Sequence, residues 1–206
     1  MIDMIPQTRS VGIHADVAID VVAWDAVGAD VDISFACMFE REVGDADIVG
    51  GLKDLDEAME GGLLALRSSG TFRGNPMETL HLKRPPARVR GKALMLVGLG
   101  DPSAFSPDVM EQAARLALRE AVRLNATSAA LAPGMLDSGL RAARTQGAGD
   151  AMLAGVIGAL DGESALAKAG LTTRHVLTRW VFDAGAAHLD AVANGFRRTF
   201  TERWAL

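Results

Sequence analysis

Apolar and polar positions alternate along the chain in a pattern that predicts strands followed by helices. Residues 93–97 form an unbroken apolar run that ends at Gly98 and Gly100, which is typical of a strand buried on both faces and followed by a glycine loop. Ser106 and Pro107 then indicate a helix start, because serine is a good N-cap and proline is favoured at the first helical position. Strand, loop and helix together predict a βα unit.

Further strands are predicted from short runs rich in β-branched and apolar residues. The first, 11–24, begins with alternation and carries a bend at 15–16, which favours a position at or near a sheet edge. The strand at 93–97 is expected to begin near Arg88 or Val89, because a proline pair forbids regular structure before them. The remaining strand patterns cover residues 33–39, 77–82, 128–132 and 174–182.

Apolar residues recur at helical spacing in the segments between these strands. Gly61 and Gly62 interrupt the first helical pattern, and we interpret them as positions of close backbone packing. In the pattern that covers residues 139–160, Asp150 is expected to cap a helix over residues 151–160. The helical patterns cover residues 51–66, 107–125, 139–160 and 184–204.

These elements predict an α/β fold with a mixed, largely parallel sheet that is flanked by helices on both faces. The chain has 206 residues. Since a domain usually holds about 100 to 200 residues, we expect residues 1–206 to form a single domain.

The charge balance argues against a nucleic-acid partner. The formal net charge is -5 and the pI is about 5.4, so the chain lacks the basic footprint of a nucleic-acid-binding protein. We interpret a local cluster of basic residues as a solvent-exposed segment that leads into a strand, with a phosphate-binding patch as the alternative. Its members are Arg84, Arg88, Arg90 and Lys92.

The cysteine content and the chain start both favour a cytoplasmic protein. Cys37 is the single cysteine, which excludes an intramolecular disulfide, and its setting in ISFACMF indicates a small buried residue. The opening MIDMIPQTRS lacks the basic and apolar regions of a signal peptide. No apolar run approaches the roughly 18 residues of a membrane span, so no membrane insertion is expected.

The residue types that carry catalysis form no recognisable motif. The four histidines show no metal-ligand spacing such as HExxH. Ser138 lies in DSG rather than in a GxSxG elbow, which disfavours a nucleophilic triad. We therefore expect no catalytic residue, no bound metal and no cofactor.

Two glycine loops form the candidate binding site. In open α/β sheets, ligands favour the crevice at the carboxyl ends of the strands, and the strands at 93–97 and 128–132 both end in such loops. Backbone N–H groups of glycine turns can hold a phosphate, so a phosphate-containing small ligand is expected, with ordinary helix connections as the alternative. The candidate ligand-binding residues are Gly98, Gly100, Asp101, Gly134, Asp137, Ser138 and Gly139.

Three consecutive blocks of sequence carry a resemblance to a known family. They are GGLKDLDEAMEGGLLALRSSGTFRGNPMETLHL, a short basic link, and KALMLVGLGDPSAFS leading into EQAARLALREAVRL. In order and spacing they resemble the amino-terminal domain of the leucyl (cytosol) aminopeptidase family. This resemblance implies a macro-domain-like three-layer α/β sandwich. By position, the loop 134–139 is similar to the macro-domain loop that holds the diphosphate of ADP-ribose.

The chain departs from that family in its second half. Family enzymes hold two metal ions in a larger carboxy-terminal domain with an NTDAEGRL-like segment, and no such segment occurs here. The carboxylates after Ser138 are scattered, whereas a two-metal hydrolase needs several around one ion pair. The resemblance therefore implies a stand-alone version of the non-catalytic domain, without aminopeptidase activity.

Three hypotheses for function follow. The first is a non-catalytic binding, regulatory or assembly domain that forms a homo-oligomer. Four aromatic residues could lie at its interface or in its core, namely Trp180, Phe182, Phe196 and Trp204. The second is a nucleotide or ADP-ribose binder, including one that hydrolyses such a ligand. The third is partnership with a separately encoded catalytic subunit.

Overall fold

The computed structural model describes residues 7–24, 27–45 and 47–204, which contain seven strands and five α-helices. The strands are β1 (Thr8–His14), β2 (Val17–Val22), β3 (Ile33–Met38), β4 (Thr79–Leu82), β5 (Ala93–Gly98), β6 (Ser128–Ala132) and β7 (Arg179–Asp183). The helices are α1 (Gly50–Ala58), α2 (Gly62–Ser68), α3 (Pro107–Arg123), α4 (Ala148–Lys168) and α5 (Leu189–Arg203). The part of the signal-peptide prediction that rests on residues 1–6 lies outside the described residues.

The strands form one mixed sheet in the order β1-β2-β7-β6-β3-β5-β4. Neighbours from β2 to β5 run parallel, whereas β1 and β4 pair antiparallel at the two edges. All six residues of β3 are buried, as a central strand covered on both faces requires. The predicted mixed, largely parallel sheet is confirmed.

Helices cover both faces of the sheet and give it three layers. Successive residues of β3 point to opposite faces, so Phe35 packs with α3, α4 and α5 while Ala36 packs with α1 and α2. Cys37 is fully buried on the first face, where burial raises the pKa of its thiol to about 12. The three-layer sandwich and the buried cysteine are both confirmed.

A glycine allows α3 and α4 to pack closely. A Cβ on Gly155 of α4 would come within 2.3 Å of the carbonyl oxygen of Glu111 on α3. The buried side of α3 is also rich in small residues, since Ala113, Ala114 and Ala117 are fully buried. The backbones can therefore approach more closely than larger side chains would permit.

The predicted start of β5 is wrong. The strand begins at Ala93 rather than near Arg88 or Val89, because the preceding residues form turns. These turns are held by other segments, as when the Arg90 N–H donates to the Val27 carbonyl at 2.8 Å. Such long-range hydrogen bonds leave no local pattern in the sequence.

Three other strand predictions need adjustment. The segment 11–24 is a hairpin of β1 and β2, and its bend is a two-residue turn at 15–16 in which both residues have positive φ. β1 lies at a sheet edge, as predicted. β4 and β7 are shorter than the predicted ranges 77–82 and 174–182.

The structure also corrects the predicted causes of the helix boundaries. Gly61 has open space within 4 Å of its Cβ position and a φ of +80°, so the close-packing interpretation is wrong for this residue. It breaks the predicted helix into α1 and α2 by adopting the left-handed region. The predicted cap at Asp150 is wrong, because α4 already begins at Ala148 with Gly147 as its N-cap, and Asp150 lies in the first turn. Ser106 is the N-cap of α3, as predicted, but its side chain makes no capping hydrogen bond.

The aromatic residues that were considered for an interface lie mainly in the core. Trp180, Phe182 and Phe196 are at most 2% exposed, and the rings of Phe182 and Phe196 meet edge to face at 4.7 Å. Trp204 is half-buried against the same core. The interface interpretation is therefore wrong for the first three residues.

The parallel strands also give the sheet two opposite sides at the strand ends, which differ from the lateral edges formed by β1 and β4. The carboxyl edge is the side where β3, β5, β6 and β7 end, and the amino edge is the side where they begin. Among the described residues, no helix has both the length and the apolar character needed to cross a bilayer.

Candidate functional site

The structure brings both predicted glycine loops to the carboxyl edge. β5 and β6 flank β3, so the loop after Gly98 and the loop 134–139 lie on either side of the end of β3. All seven candidate residues therefore follow the carboxyl ends of parallel strands, although β3 separates the two loops instead of leaving them side by side as predicted. Their contacts show what fills this region.

The chain itself covers the first glycine loop. A Cβ on Gly98 would lie 2.0 Å from the carbonyl oxygen of Asn75, and one on Gly100 would lie 2.7 Å from Cγ of Pro76. The Gly100 N–H also donates to the Gly74 carbonyl at 2.8 Å. The glycines are needed because the segment 74–76 crosses directly over them.

Asp101 is engaged by protein groups on its own loop and on the segment that follows β3. Its carboxylate accepts from the Ser103 N–H at 2.8 Å and from Nη2 of Arg41 at 2.9 Å. The bond from Ser103, with a smaller effect of Arg41, holds the pKa of Asp101 below its ordinary value. The carboxylate therefore caps the short turn Pro102–Ala104.

The second loop is fastened to β3 and to α1. Gly134 has a φ of +62°, and its Cβ position is only 2.3 Å from the carbonyl oxygen of Cys37. Farther along the loop, Oδ2 of Asp137 accepts from the Leu52 N–H at 3.2 Å, and the Asp137 carbonyl accepts from the Val49 N–H at 3.0 Å. Asp137 thus lies at the N-terminus of α1.

The Asp137 carboxylate occupies the position that an anionic ligand would need at this helix. N–H groups at a helix N-terminus favour a negative charge, and Asp137 supplies that charge from within the chain. Burial raises its pKa and the nearby charge of Asp54 adds to this, whereas N–H groups of Leu52 and Gly51 act in the opposite direction. The helix end is therefore already satisfied by protein.

Ser138 and Gly139 hold the loop against the segment that precedes α1. The Ser138 carbonyl accepts from the Val43 N–H at 3.0 Å, and Gly139 has a φ of +84° beside Val43. The Ser138 side chain is fully buried, and its hydroxyl has no hydrogen-bond partner among the described residues. No histidine or carboxylate of the described chain is placed to activate it as a nucleophile.

A buried ion pair at the carboxyl edge was missed from the sequence. Nη1 and Nη2 of Arg67 donate to Oε1 and Oε2 of Glu42, each at 2.8 Å. Nη1 of Arg67 also donates to the Phe39 carbonyl at 3.2 Å. The pair joins α2 to the chain that leaves β3. Its members are far apart in sequence, and neither lies in a motif that could have indicated it.

Three apolar side chains remain exposed beside the closed loops. Val43, Val49 and Leu136 are 40%, 52% and 43% exposed, and we call them the carboxyl-edge patch. The segments that carry them are hydrogen bonded to one another, which places the three residues in one region of the carboxyl edge. The helical and strand patterns gave no indication of this patch, because all three residues lie in irregular segments.

Two cavities lie at the opposite, amino edge. One, of about 250 Å³, is lined by Asp32, His81 and Lys83 among others. Asp32 is held there by Nζ of Lys92 at 2.7 Å and by the Thr127 N–H at 2.8 Å, and these bonds lower its pKa. The other cavity measures about 340 Å³. Over the described residues, no three histidine, cysteine, aspartate or glutamate side chains lie close enough to share a metal ion.

Comparison with known proteins links the sequence to one family. Residues 40–161 match the model of the cytosol aminopeptidase family, N-terminal domain. A probable cytosol aminopeptidase from Acaryochloris marina is 36% identical over 118 residues, which cover 55% of this chain and 22% of that protein. The chain thus spans less than a quarter of the curated relative that it matches.

Solved structures match the fold over nearly the whole chain. Tomato leucine aminopeptidase, in a mutant form, has a TM-score of 0.64 and 19% identity, covering 92% of this chain and 37% of that chain. An Oceanobacillus iheyensis macrodomain with ADP has a TM-score of 0.62 and 11% identity, covering 97% of this chain and 100% of that one. At these identities the likeness concerns the fold alone.

Proposed function

The chain belongs to the cytosol aminopeptidase family through its N-terminal domain, and we propose that it is a non-catalytic assembly domain that associates with further copies of itself. One observation carries this proposal. The carboxyl edge is closed by the chain's own groups, while the apolar carboxyl-edge patch beside it stays exposed.

The closed edge argues for a binding role between proteins rather than for chemistry. An α/β enzyme uses an open crevice at the carboxyl ends of its strands. Here the backbone of Asn75 lies against Gly98, and Asp137 occupies the N-terminus of α1. The space that a substrate would need is therefore taken by the protein.

The carboxyl-edge patch supplies a surface for association. Exposed apolar side chains grouped on one side of a protein favour contact with another protein. All three members lie within residues 40–161, the part that matches the family. A second copy can present the same patch across a two-fold axis, which is the commonest symmetry of homo-oligomers.

Light scattering coupled to size-exclusion chromatography tests the assembly. We expect an oligomer for the unchanged protein and a shift to monomer for Leu136→Asp, because a charge placed in the contact must lose its hydration. Leu171→Asp is the matched control, since Leu171 is 75% exposed but belongs to the segment after α4. A monomeric unchanged protein, or dissociation by Leu171→Asp alone, would contradict the proposal.

A second candidate function is binding of ADP-ribose or a related nucleotide. It is favoured by the fold likeness to a macrodomain with ADP and by the unpartnered Ser138 hydroxyl in the loop 134–139. Calorimetric titration with ADP-ribose at millimolar concentration tests it. The assembly proposal expects no heat, whereas the nucleotide proposal expects heat that Ser138→Ala diminishes.

Regulation of a separately encoded aminopeptidase is the remaining part of the proposal. The Acaryochloris marina relative is much longer than the matched segment, so a chain that carries the remaining part of such a protein is the natural partner for this domain. A cytoplasmic location belongs to the same proposal, because that relative is named a cytosol aminopeptidase. Purification of the tagged chain from its native extract should recover a metallopeptidase, and an extract that yields none removes support for this partner.

A further inference from the structure

A polar cavity of about 340 Å³ opens at the amino edge, far from the carboxyl-edge patch along the strands. The end of α3, the second half of α4 and the segment that leads into β7 supply its lining. Two of its arginines already have ionic partners. Arg123 pairs with Glu120 at 2.6 Å, and Arg174 pairs with Asp16 of the β1–β2 turn.

Two opposite charges in the same lining are not paired. Arg119 on α3 and Glu163 on α4 have no ion-pair partner in the part of the chain that the structure describes, and they do not pair with each other. The Arg119 guanidinium nevertheless reaches α4, because its Nη2 lies 3.9 Å from the Cβ position of Gly162. The cavity thus presents a free cation and a free anion on facing helices.

Neutral polar groups complete the lining. The side chains of Asn125, Thr172 and Thr173 make no hydrogen bond within the described residues. The Nδ1 atom of His175 is shielded from solvent and also lacks a partner there. Several donors and acceptors that have no partner among the described residues therefore converge on one concave space, where each can form a hydrogen bond to a small polar ligand.

We propose that this cavity binds a zwitterionic ligand of dipeptide size. Its carboxylate would accept from the Arg119 guanidinium, which presents a planar fork of donors, and its ammonium would donate to Glu163. α3 ends at the cavity, and the negative end of the helix dipole favours the ammonium group. Phosphate fits this lining less well, since it leaves Glu163 unpaired and faces a helix C-terminus.

Nuclear magnetic resonance titration of the full chain with L-alanyl-L-alanine tests the proposal independently of the assembly function. The dipeptide should shift amide signals of the residues that line the cavity. N-acetyl-alanyl-alanine lacks the ammonium and alanyl-alaninamide lacks the carboxylate, so each should bind about tenfold more weakly, which corresponds to roughly 1.4 kcal/mol.

Charge-removing variants assign each end of the ligand. Arg119→Gln should weaken the dipeptide about tenfold while leaving alanyl-alaninamide unchanged, and Glu163→Gln should weaken it while leaving the acetylated dipeptide unchanged. Arg198→Gln is the matched control, because Arg198 is exposed on α5. The proposal is overturned if the dipeptide shifts no signals at millimolar concentration. Equal binding of the blocked dipeptides, or tighter binding of inorganic phosphate, also overturns it.

Discussion

Two buried hydroxyl groups differ in a way that stability measurements can resolve. Ser138 is fully buried and its hydroxyl has no partner in the described residues, whereas the Thr199 hydroxyl donates to Asp150 at 2.6 Å. Ser138→Ala removes an uncompensated polar group and should raise the free energy of unfolding by about 1 kcal/mol. Thr199→Val should lower it by about 2 kcal/mol, because it leaves the Asp150 carboxylate short of a donor. Urea unfolding measures both, and a loss of stability in Ser138→Ala would show that the hydroxyl has a partner.

The Glu42 and Arg67 pair holds the chain that leaves β3 to α2. Its side chains are only 9% and 16% exposed, so Glu42→Gln leaves a buried guanidinium without its counter-charge. The free energy of unfolding should fall by about 3 kcal/mol. Glu57→Gln is the control, because Glu57 pairs with Lys53 on the exposed surface at 3.9 Å and should change stability by less than about 0.5 kcal/mol. Equal losses in chemical denaturation would mean that the buried pair contributes no more than the exposed one.

At the scale of elements, the close approach of α3 and α4 depends on one glycine. Gly155→Ala places a methyl group 2.3 Å from a backbone oxygen, so the helices must separate, and the free energy of unfolding should fall by about 2 kcal/mol. Gly158→Ala on the same helix meets only the flexible end of Arg115 at 3.6 Å. It should gain about 0.5 to 1 kcal/mol from helix propensity. Thermal unfolding that ranks the two variants in the reverse order would refute this account of the packing.

Elements whose environment is uniform were predictable, and elements defined by long-range contacts were not. β3 and β6 are apolar at every position except Ser34 and Ser128, as strands covered on both faces require, and their predicted bounds agree with the structure to within one residue. The residues from Arg88 to Lys92 were included in the predicted strand but form turns, because their N–H groups bond to distant carbonyls such as that of Val27. Gly61 was predicted as an interruption, but the need for a positive φ could not be told from close packing.

The candidate site was also predictable only in part, because long-range contacts decide what fills it. That Gly98 and Gly134 lie at the carboxyl ends of parallel strands follows from the βα order, whereas the insertion of β3 between those two strands could not be read from it. What covers them depends on residues far away in sequence, such as Asn75 over Gly98. A glycine that admits a ligand and a glycine that admits another stretch of backbone have the same sequence signal.

At the scale of the whole molecule, three carboxylates set opposing pH dependences. The lowered pKa of Asp32 means that its contribution to stability is present above the unfolded pKa of about 3.9 and is lost as the pH falls below it. Asp101 acts in the same direction, and solvent screening weakens its effect because its side chain is 42% exposed. The raised pKa of Asp137 acts oppositely, because acidification through that pKa relieves the cost of a buried charge.

Removal of each charge should therefore change the slope of stability against pH with a different sign. Asp32→Asn should be less stable at neutral pH and should lose less stability below about pH 4, since the group that titrates there is gone. Asp137→Asn should lose stability more steeply on acidification, because the compensating gain is absent. Asp101→Asn should follow the unchanged protein more closely than either. Urea unfolding across a series of acidic buffers gives these slopes, and an unchanged slope in Asp32→Asn would show that its bonds to Lys92 and Thr127 do not govern acid stability.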